Sequence, residues 1–186
     1  MKKKSTAKDA IAESLLELCQ TKNICYISVK QIMENCGFSR KTFYNNFDTK
    51  YDVSYYLFEK AANDIISRYA DKEPWGVVLG RIYRFMYDNS TLFGKQWIAE
   101  DREKLISQII DYVRDYYIKT CIELHGEEKV TERFLFLCQY NSYGSTNMVA
   151  DFLKGKLKIT PEELGINLAD ALPEDVRRLT VRYVDV

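Results

Sequence analysis

The stretch from Ser28 to Phe47 reads SVKQIMENCGFSRKTFYNNF, and it decides how the rest of the chain is interpreted. Ser28 and Ser39 each stand where a hydroxyl can cap the first turn of a short helix. Gly37 can end the first of these helices in a left-handed conformation. Because only Gly37 and Phe38 separate the two segments, the sequence predicts a tight helix-turn-helix.

The second helix of this pair carries residue types that suit contact with DNA. In a helix-turn-helix, the first turn of the second helix meets base edges, and nearby hydroxyls and cations meet phosphates. Phe43 and Phe47 have the i, i+4 spacing of residues that pack inward. The polar residues that remain on or beside the exposed face are Arg40, Lys41, Thr42, Tyr44 and Asn45.

Charge is unevenly distributed around this segment. The whole chain is neutral, with 27 basic and 27 acidic residues. Residues 1–50 contain nine basic and five acidic residues, whereas residues 51–186 contain eighteen and twenty-two. The net charges of +4 and −4 favour a polyanionic partner for the first part only.

Composition narrows the class of protein further. The chain has 186 residues, of which 46% are hydrophobic and 29% charged, as in a globular protein of one or two packed domains. No apolar run approaches the ~20 residues of a membrane span, and no secretory core follows the basic start, so we expect no membrane partner and a cytoplasmic location. Five cysteines without Cys-x-x-Cys spacing favour neither a disulfide framework nor a zinc site.

Helical periodicity continues along the rest of the chain, which predicts an all-α fold. We expect Thr6 to cap the first helix, Asn23 to end it, and Asp48 to cap a long fourth helix over about residues 49–69. Pro74 fits the first position of a fifth helix. Further helices are expected to end near Gly126, to run from about Thr131 to Gly155, and to start at Thr160; residues 179–186 alternate and could be extended.

The segment from about Ala10 to Ile65 resembles the DNA-binding domain of the TetR family of bacterial transcriptional regulators. The resemblance rests on the Ser-Val opening, the Gly-Phe-Ser turn, the Thr-Phe-Tyr-x-x-Phe helix and the later Lys-Tyr-Asp. It implies a three-helix helix-turn-helix domain in residues 1–50 that reads one half-site of a double-stranded operator. It also implies a helical ligand-binding and dimerisation domain in residues 51–186.

Carried over residue by residue, the resemblance implies two groups of DNA contacts. The phosphate contacts would be Ser28, Ser39, Tyr44 and Lys50, and the contacts to bases or adjacent phosphates would be Arg40, Lys41, Thr42 and Asn45. Asn45 and Asn46 stand where the family often has a basic residue or histidine, and Asn23 where it commonly has glycine.

The second domain offers less specific signals. Small residues around Gly144 would permit close approach of a partner helix, or of another helix of the same chain; the dimer residues we expect are Tyr143, Gly144, Asn147 and Phe152. Aromatic residues could line a pocket for a small-molecule effector or simply fill a helical core. The pocket residues we expect are Tyr83, Tyr87, Trp97, Tyr116 and Tyr140, and with no strong cluster of one charge among their helices we expect an uncharged or weakly polar ligand.

No residue pattern indicates an enzyme or a bound cofactor. The chain lacks a Gly-rich phosphate loop, a nucleophile elbow and a carboxylate-histidine cluster, and His125 with Cys121 would need further partners to hold a metal. We therefore expect a homodimeric, ligand-responsive repressor that binds a near-palindromic operator. The alternative is a TetR-like regulator or activator controlled by a protein partner. An enclosed cavity favours the first hypothesis, and an exposed apolar patch favours the second.

Overall fold

The computed structural model describes residues 6–93 and 102–183, which form nine α-helices and two 3-10 turns and contain no β-strand. The helices are α1 (Ala7–Cys19), α2 (Val29–Cys36), α3 (Arg40–Tyr44), α4 (Lys50–Tyr69), α5 (Trp75–Asp88), α6 (Arg102–His125), α7 (Glu132–Leu153), α8 (Pro161–Asp170) and α9 (Glu174–Thr180). The 3-10 turns are Ile24–Tyr26 and Glu127–Lys129. The predicted all-α fold is confirmed.

Hydroxyl caps define most of the helix starts. The side chains that accept a hydrogen bond from the first turn are Thr6, Ser28, Ser39, Thr49, Thr131 and Thr160. At four of them, Thr6, Ser28, Thr49 and Thr160, the third helical residue also bonds back to the cap and closes a capping box. Each such cap stabilises its helix by about 1 kcal/mol.

Two predicted boundaries in the first third of the chain are wrong. Thr49, not Asp48, caps α4, because Asp52 stands three residues after Thr49 and completes the capping box. Asn23 does not end α1 in a left-handed conformation, since its φ is −67°. Its side chain instead accepts a hydrogen bond from Cys25 N at 3.0 Å, which starts the first 3-10 turn.

The first three helices pack on one another around fully buried residues. Phe43 of α3 is completely buried, as are Ile11 and Ile32 on α1 and α2. Gly37, with a φ of +75°, makes the turn that brings α3 back against α2. The buried Ser14 Oγ donates to Ile32 O at 2.8 Å and so ties α1 to α2.

Helices α5 and α8 cross at glycine residues, a contact that the sequence analysis does not predict. A Cβ atom on Gly165 would meet backbone atoms of Gly76 and Gly80, including the Gly80 Cα at 2.7 Å. The absence of side chains therefore allows the two backbones to touch.

Two later boundaries also differ from the predicted ones. Pro74 precedes α5 rather than occupying its first position. Residues 179 and 180, part of the alternating end that could be extended, belong to α9, which ends at Thr180.

Helix α4 joins the first three helices to the rest of the molecule. One continuous cluster of buried residues extends from α1 to α8 and includes Val53, Leu57 and Phe58 of α4. Among the described helices, none is long and apolar enough to cross a membrane. A division of the chain at residue 50 stays a prediction, because the apolar core shows no gap there.

Candidate DNA-binding surface and regulatory cavity

Helix α3 exposes most of the residues expected to contact DNA. Phe43 anchors the helix in the core, whereas its neighbour Tyr44 is 59% exposed and packs edge-on against the Phe43 ring. Arg40, Lys41 and Asn45 are also exposed, and Thr42 is half-buried. Within the described part of the chain, neither Arg40 nor Lys41 forms an ion pair, so both cations are available to a polyanion.

Both serines of the predicted DNA-contact set act as helix caps. Ser28 Oγ accepts from Gln31 N at 3.2 Å and donates to Gln31 Oε1 at 3.1 Å. Ser39 Oγ accepts from Thr42 N at 3.2 Å and lies 3.0 Å from Thr42 Oγ1. Both serines are exposed, and a phosphate contact by Ser28 Oγ as donor would replace its hydrogen bond to Gln31.

Lys50 has a structural role that the sequence did not indicate. Its ammonium group donates to Ile24 O at 2.7 Å, Cys25 O at 3.2 Å and Ile27 O at 2.8 Å. These carbonyl groups belong to the 3-10 turn between α1 and α2 and to the residue that follows it. Lys50 therefore fixes the start of α4 to the connection that precedes the helix-turn-helix.

Two exposed aromatic residues near these helices also escaped the sequence analysis. Tyr26 is 81% exposed at the end of the first 3-10 turn, and Phe38 is 43% exposed in the turn between α2 and α3. Helical periodicity carries no information on such residues, because they lie in short connections. Their position in turns flanked by helix caps is the signal that could have identified them.

A small internal cavity of about 50 Å³ lies between α4, α5, α6 and α7, and Leu168 of α8 completes its lining. Its lining is mostly apolar and aromatic and includes Tyr83 and Tyr116 of the predicted pocket. Trp75 stacks on Tyr116 with 5.3 Å between ring centroids, and its Nε1 donates to Tyr117 OH at 3.2 Å. Burial raises the pKa of both Tyr83 and Tyr117 above the ordinary tyrosine value, so both phenols are neutral at physiological pH.

The other predicted pocket residues lie elsewhere. Tyr140 is 68% exposed on α7 and stacks on Phe136, so its assignment to the pocket is wrong. Tyr87 is 49% exposed and packs on Phe152, which also removes it from the lining. Trp97 lies outside the described residues. The lining residues that the sequence missed include Trp75, Tyr112 and Tyr117.

Three polar side chains of α7 contribute to the cavity lining, namely Asn141, Ser145 and Thr146. Ser145 Oγ donates to Asn141 O at 2.7 Å. Thr146 is only 2% exposed, and its Oγ1 has no hydrogen-bond partner among the described residues. A buried hydroxyl without a partner is uncommon and costs free energy, so the Thr146 hydroxyl is available to a bound molecule.

The predicted dimer residues fall into two environments. Tyr143, Gly144 and Asn147 are exposed on one face of α7, and Tyr143 is 54% exposed. A Cβ atom on Gly144 would meet nothing within 4 Å. Phe152, in contrast, is 4% exposed and buried within the chain, so its assignment to the dimer surface is wrong.

Two ion pairs connect the helices around α4. Lys60 of α4 pairs with Asp9 of α1, and Lys104 of α6 lies 2.6 Å from Asp52 in the α4 capping box. The Asp52 carboxylate therefore contacts both the first turn of α4 and the N-terminal part of α6. A displacement of α6 would act directly on the start of α4, next to Lys50.

In the described parts of the chain, His125 and Cys121 do not come together with further metal ligands. No group of three or more His, Cys, Asp or Glu residues in 6–93 and 102–183 could hold a metal ion. His125 is exposed at the end of α6, whereas Cys121 is fully buried one turn earlier.

Comparison with known proteins gives the family. Residues 73–172, more than half of the chain, match the family described as transcriptional regulator C-terminal region, TetR_C_8. The chain belongs to the TetR family. Members of this family are transcriptional regulators that bind DNA, generally as dimers.

Individual relatives agree with this assignment. The chain is 27% identical over 151 residues to the HTH-type dhaKLM operon transcriptional activator DhaS of Lactococcus lactis subsp. lactis (strain IL1403), and the match covers 76% of each protein. Among solved structures, the dihydroxyacetone kinase operon activator DhaS matches with a TM-score of 0.55 and 19% identity, covering 94% of this chain and 98% of that one. The TetR family repressor AlkX from Dietzia sp. strain DQ12-45-1b matches with a TM-score of 0.60 and 12% identity, covering 94% and 97%. These structural matches show that the TetR fold extends over both parts of this regulator.

Proposed function

We propose that this TetR-family regulator represses transcription by binding a near-palindromic operator as a homodimer. The observation that carries the proposal is α3, where exposed Arg40, Lys41, Tyr44 and Asn45 surround the buried anchor Phe43. A cationic and amide-bearing helix face of this kind can contact phosphates and base edges in the major groove. A two-fold dimer would place two such helices about 34–36 Å apart, which is one turn of DNA.

The dimer surface that we propose is the exposed face of α7. Tyr143, Gly144 and Asn147 lie there, and the exposed Phe136 and Tyr140 extend the same face toward the start of the helix. Aromatic residues with much exposed area are enriched in interfaces, and Gly144 would let two helices approach closely. Gly144→Trp is expected to convert a dimer into a monomer in light scattering at micromolar concentration.

A small-molecule effector in the internal cavity is the proposed source of regulation. The cavity is smaller than the ~300 Å³ of an ordinary ligand site, so a bound effector must separate the helices that line it. Helix α4 contributes Phe58, Ala62 and Ile66 to the lining and also carries Lys50 at its start. Displacing α4 would change the spacing of the two α3 helices, and such coupling is typically about 1–3 kcal/mol.

Control by a protein partner is the second candidate, with activation as the outcome. Two observations favour it: the cavity volume is only about 50 Å³, and Phe136 and Tyr140 expose 67% and 68% of their surface on α7. The relative from Lactococcus lactis is described as a transcriptional activator. Because the same face is proposed for the dimer, a chain that is monomeric in light scattering and forms a complex with a second protein through the α7 face would favour this candidate over ligand control.

The test of DNA recognition uses a selected operator and fluorescence anisotropy at several salt concentrations. Arg40→Ala, Thr42→Ala and Tyr44→Ala combined should remove preference for the operator, because each lost base contact changes affinity by roughly 1–3 kcal/mol. The control is Arg178→Ala, which removes an exposed cation from α9. Unchanged operator binding by the folded triple variant would refute the role of α3.

A further inference from the structure

The internal cavity adjoins a larger cleft on the outer side of α4 and α6. This cleft has a volume of about 330 Å³, and Tyr112 and Tyr116 line both spaces. Each of the two tyrosines has a specific contact: Tyr112 OH donates to Asn63 Oδ1 at 2.9 Å, and the Tyr116 ring stacks on Trp75. Because these two side chains lie between the cavity and the cleft, a bound molecule that displaces them would join the two spaces and occupy both.

The two spaces differ in chemistry. The cavity lining is mainly apolar, with the unpartnered Thr146 Oγ1 as its buried polar feature. The cleft is lined by more carboxylates than cations. Its charged residues are Glu59, Asp111, Asp115 and Glu123 on the acidic side, and Lys119 and Arg182 on the basic side.

Glu59 stands out among the cleft carboxylates because no cation of the described chain pairs with it. Arg114 pairs with both Asp111 and Asp115, and Arg182 pairs with Glu123. Glu59 is half-buried and lies one turn after Tyr55 on α4. Burial, followed by the negative charges of Glu59, Asp111 and Asp115, raises the pKa of Tyr55 to about 12, so the hydroxyl keeps its proton.

We propose that the effector is a cationic amphiphile, with an ammonium group beside Glu59 in the cleft and an apolar body between Tyr112 and Tyr116 in the cavity. The inference rests on the proposed effector control of this regulator and specifies the ligand class. The ammonium group would gain a carboxylate partner and aromatic faces, which favour cations. An anionic head group would be repelled by the same carboxylates, and a polar atom of the body could bond to Thr146 Oγ1.

This ligand class replaces the uncharged or weakly polar compound expected from the sequence. That expectation considered each helix separately, and no single helix carries a strong cluster of one charge. Glu59 is on α4, whereas Asp111 and Asp115 are on α6, and only the packing of these helices brings the carboxylates to one cleft.

Isothermal titration calorimetry of the full chain with three matched probes tests the inference. The probes are 4-phenylbutylamine, 4-phenylbutan-1-ol and 4-phenylbutanoate, which share an apolar body and differ in head-group charge at neutral pH. We expect the amine to bind at least tenfold more tightly than the alcohol, and the carboxylate to bind more weakly than both. Equal binding of the amine and the carboxylate would overturn the inference, as would binding by none of the probes.

Glu59→Gln locates the head group, and Glu132→Gln on the exposed start of α7 is the matched control. We expect Glu59→Gln to weaken the amine at least fivefold while the alcohol changes less than twofold, and Glu132→Gln to change neither. An unchanged amine affinity in Glu59→Gln would overturn the assignment of the cleft. Operator titration separates the two proposals, because an amine that binds as expected without lowering operator affinity would contradict effector control and leave the ligand site intact.

Discussion

Helices α1 to α4 and the later helices α5 to α9 of this protein are held together in different ways. In α1 to α4, the capping hydrogen bonds join residues three positions apart, as Ser28 and Gln31 do. In the later helices, the decisive contacts join residues far apart in the chain, such as Trp75 with Tyr116 and Gly76 with Gly165. The helix starts of the first region therefore follow from local contacts, whereas the arrangement of the later helices depends on long-range packing.

This difference explains why the candidate functional residues of the first region are neighbours in the sequence, whereas those that line the cavity are scattered along the chain. The recognition helix needs only a cap, one buried anchor and exposed neighbours, all within a few residues of Phe43. The cavity needs side chains from α4, α5, α6 and α7 and Leu168 of α8, which meet only after folding.

The largest effect is expected at the crossing of α5 and α8. Gly165→Leu should destabilise the protein by about 3 kcal/mol or more, because its side chain would overlap backbone atoms of Gly76 and Gly80 that cannot move aside independently. The control is Asn167→Leu, which introduces the same side chain at an exposed position of α8. It should change stability by less than about 0.5 kcal/mol. Chemical denaturation at one fixed protein concentration measures both, and equal stabilities would contradict the close crossing.

The same difference determines which helix starts can be predicted from the sequence. The helix starts at Thr6, Ser28, Ser39 and Thr160 were predictable because the cap and its partner are neighbours in sequence. Asp48 and Thr49 are both capping residue types, and only the capping-box partner Asp52, three residues after Thr49, distinguishes them.

The candidate sites divide in the same way. The exposure of Arg40, Lys41 and Asn45 followed from helical spacing around Phe43. Helical spacing could not reveal that Tyr140 faces outward while Tyr116 faces the cavity, since both lie on amphipathic helices rich in tyrosine. The orientation of such a helix depends on which of its faces finds a partner.

Lys50 makes long-range contacts within the region formed by α1 to α4, because its ammonium group bonds to carbonyl groups more than 20 residues earlier. Lys50→Met should destabilise the protein by about 2 kcal/mol, because it removes the donor that serves Ile24 O, Cys25 O and Ile27 O. Lys41→Met, which removes an exposed cation of α3, should change stability by less than about 0.5 kcal/mol. Thermal and chemical unfolding measure the difference.

The salt dependence of operator binding gives the second measurement on these two variants. If Lys50 also contacts a phosphate, the slope of log affinity against log salt concentration should be smaller in magnitude by about one unit in Lys50→Met than in wild type. This reduction should be the same at every DNA sequence. A wild-type stability in Lys50→Met would show that the carbonyl contacts contribute little, and would leave phosphate binding as the function of this residue.

Asp9 combines a local cap with a contact to α4, so its effect should be intermediate. Hydrogen bonds from Lys60, Thr6 and Tyr56 hold the pKa of this carboxyl well below its ordinary value. Because the folded-state pKa is depressed, the stabilisation is present above about pH 4 and is lost as the pH falls through the folded-state pKa. Asp9→Asn should destabilise the protein by about 1 kcal/mol at pH 7, and the difference from wild type should shrink below about pH 4.

Asp64→Asn is the control for that pH profile, because Asp64 forms an exposed pair with Arg68 one turn away on α4. Such surface pairs contribute well under 1 kcal/mol, so this variant should follow the wild-type curve. A constant difference between Asp9→Asn and wild type from pH 7 to pH 3 would show that the Asp9 charge is not the source of the stabilisation.

The smallest effect, and the only one with a reversed sign, is expected at Thr146. Thr146 and Thr180 are both 2% exposed, but Thr180 Oγ1 donates to Val176 O at 2.7 Å whereas Thr146 Oγ1 has no partner among the described residues. Replacing a hydroxyl that lacks a partner by a methyl group of the same shape removes a desolvation cost without removing a hydrogen bond. Thr146→Val should therefore be neutral or stabilising by up to about 1 kcal/mol, whereas Thr180→Val should destabilise by about 1 kcal/mol. Chemical denaturation of the two variants makes the comparison, and a loss of stability in Thr146→Val equal to that in Thr180→Val would mean that the Thr146 hydroxyl is bonded in the folded protein and is not available to an effector.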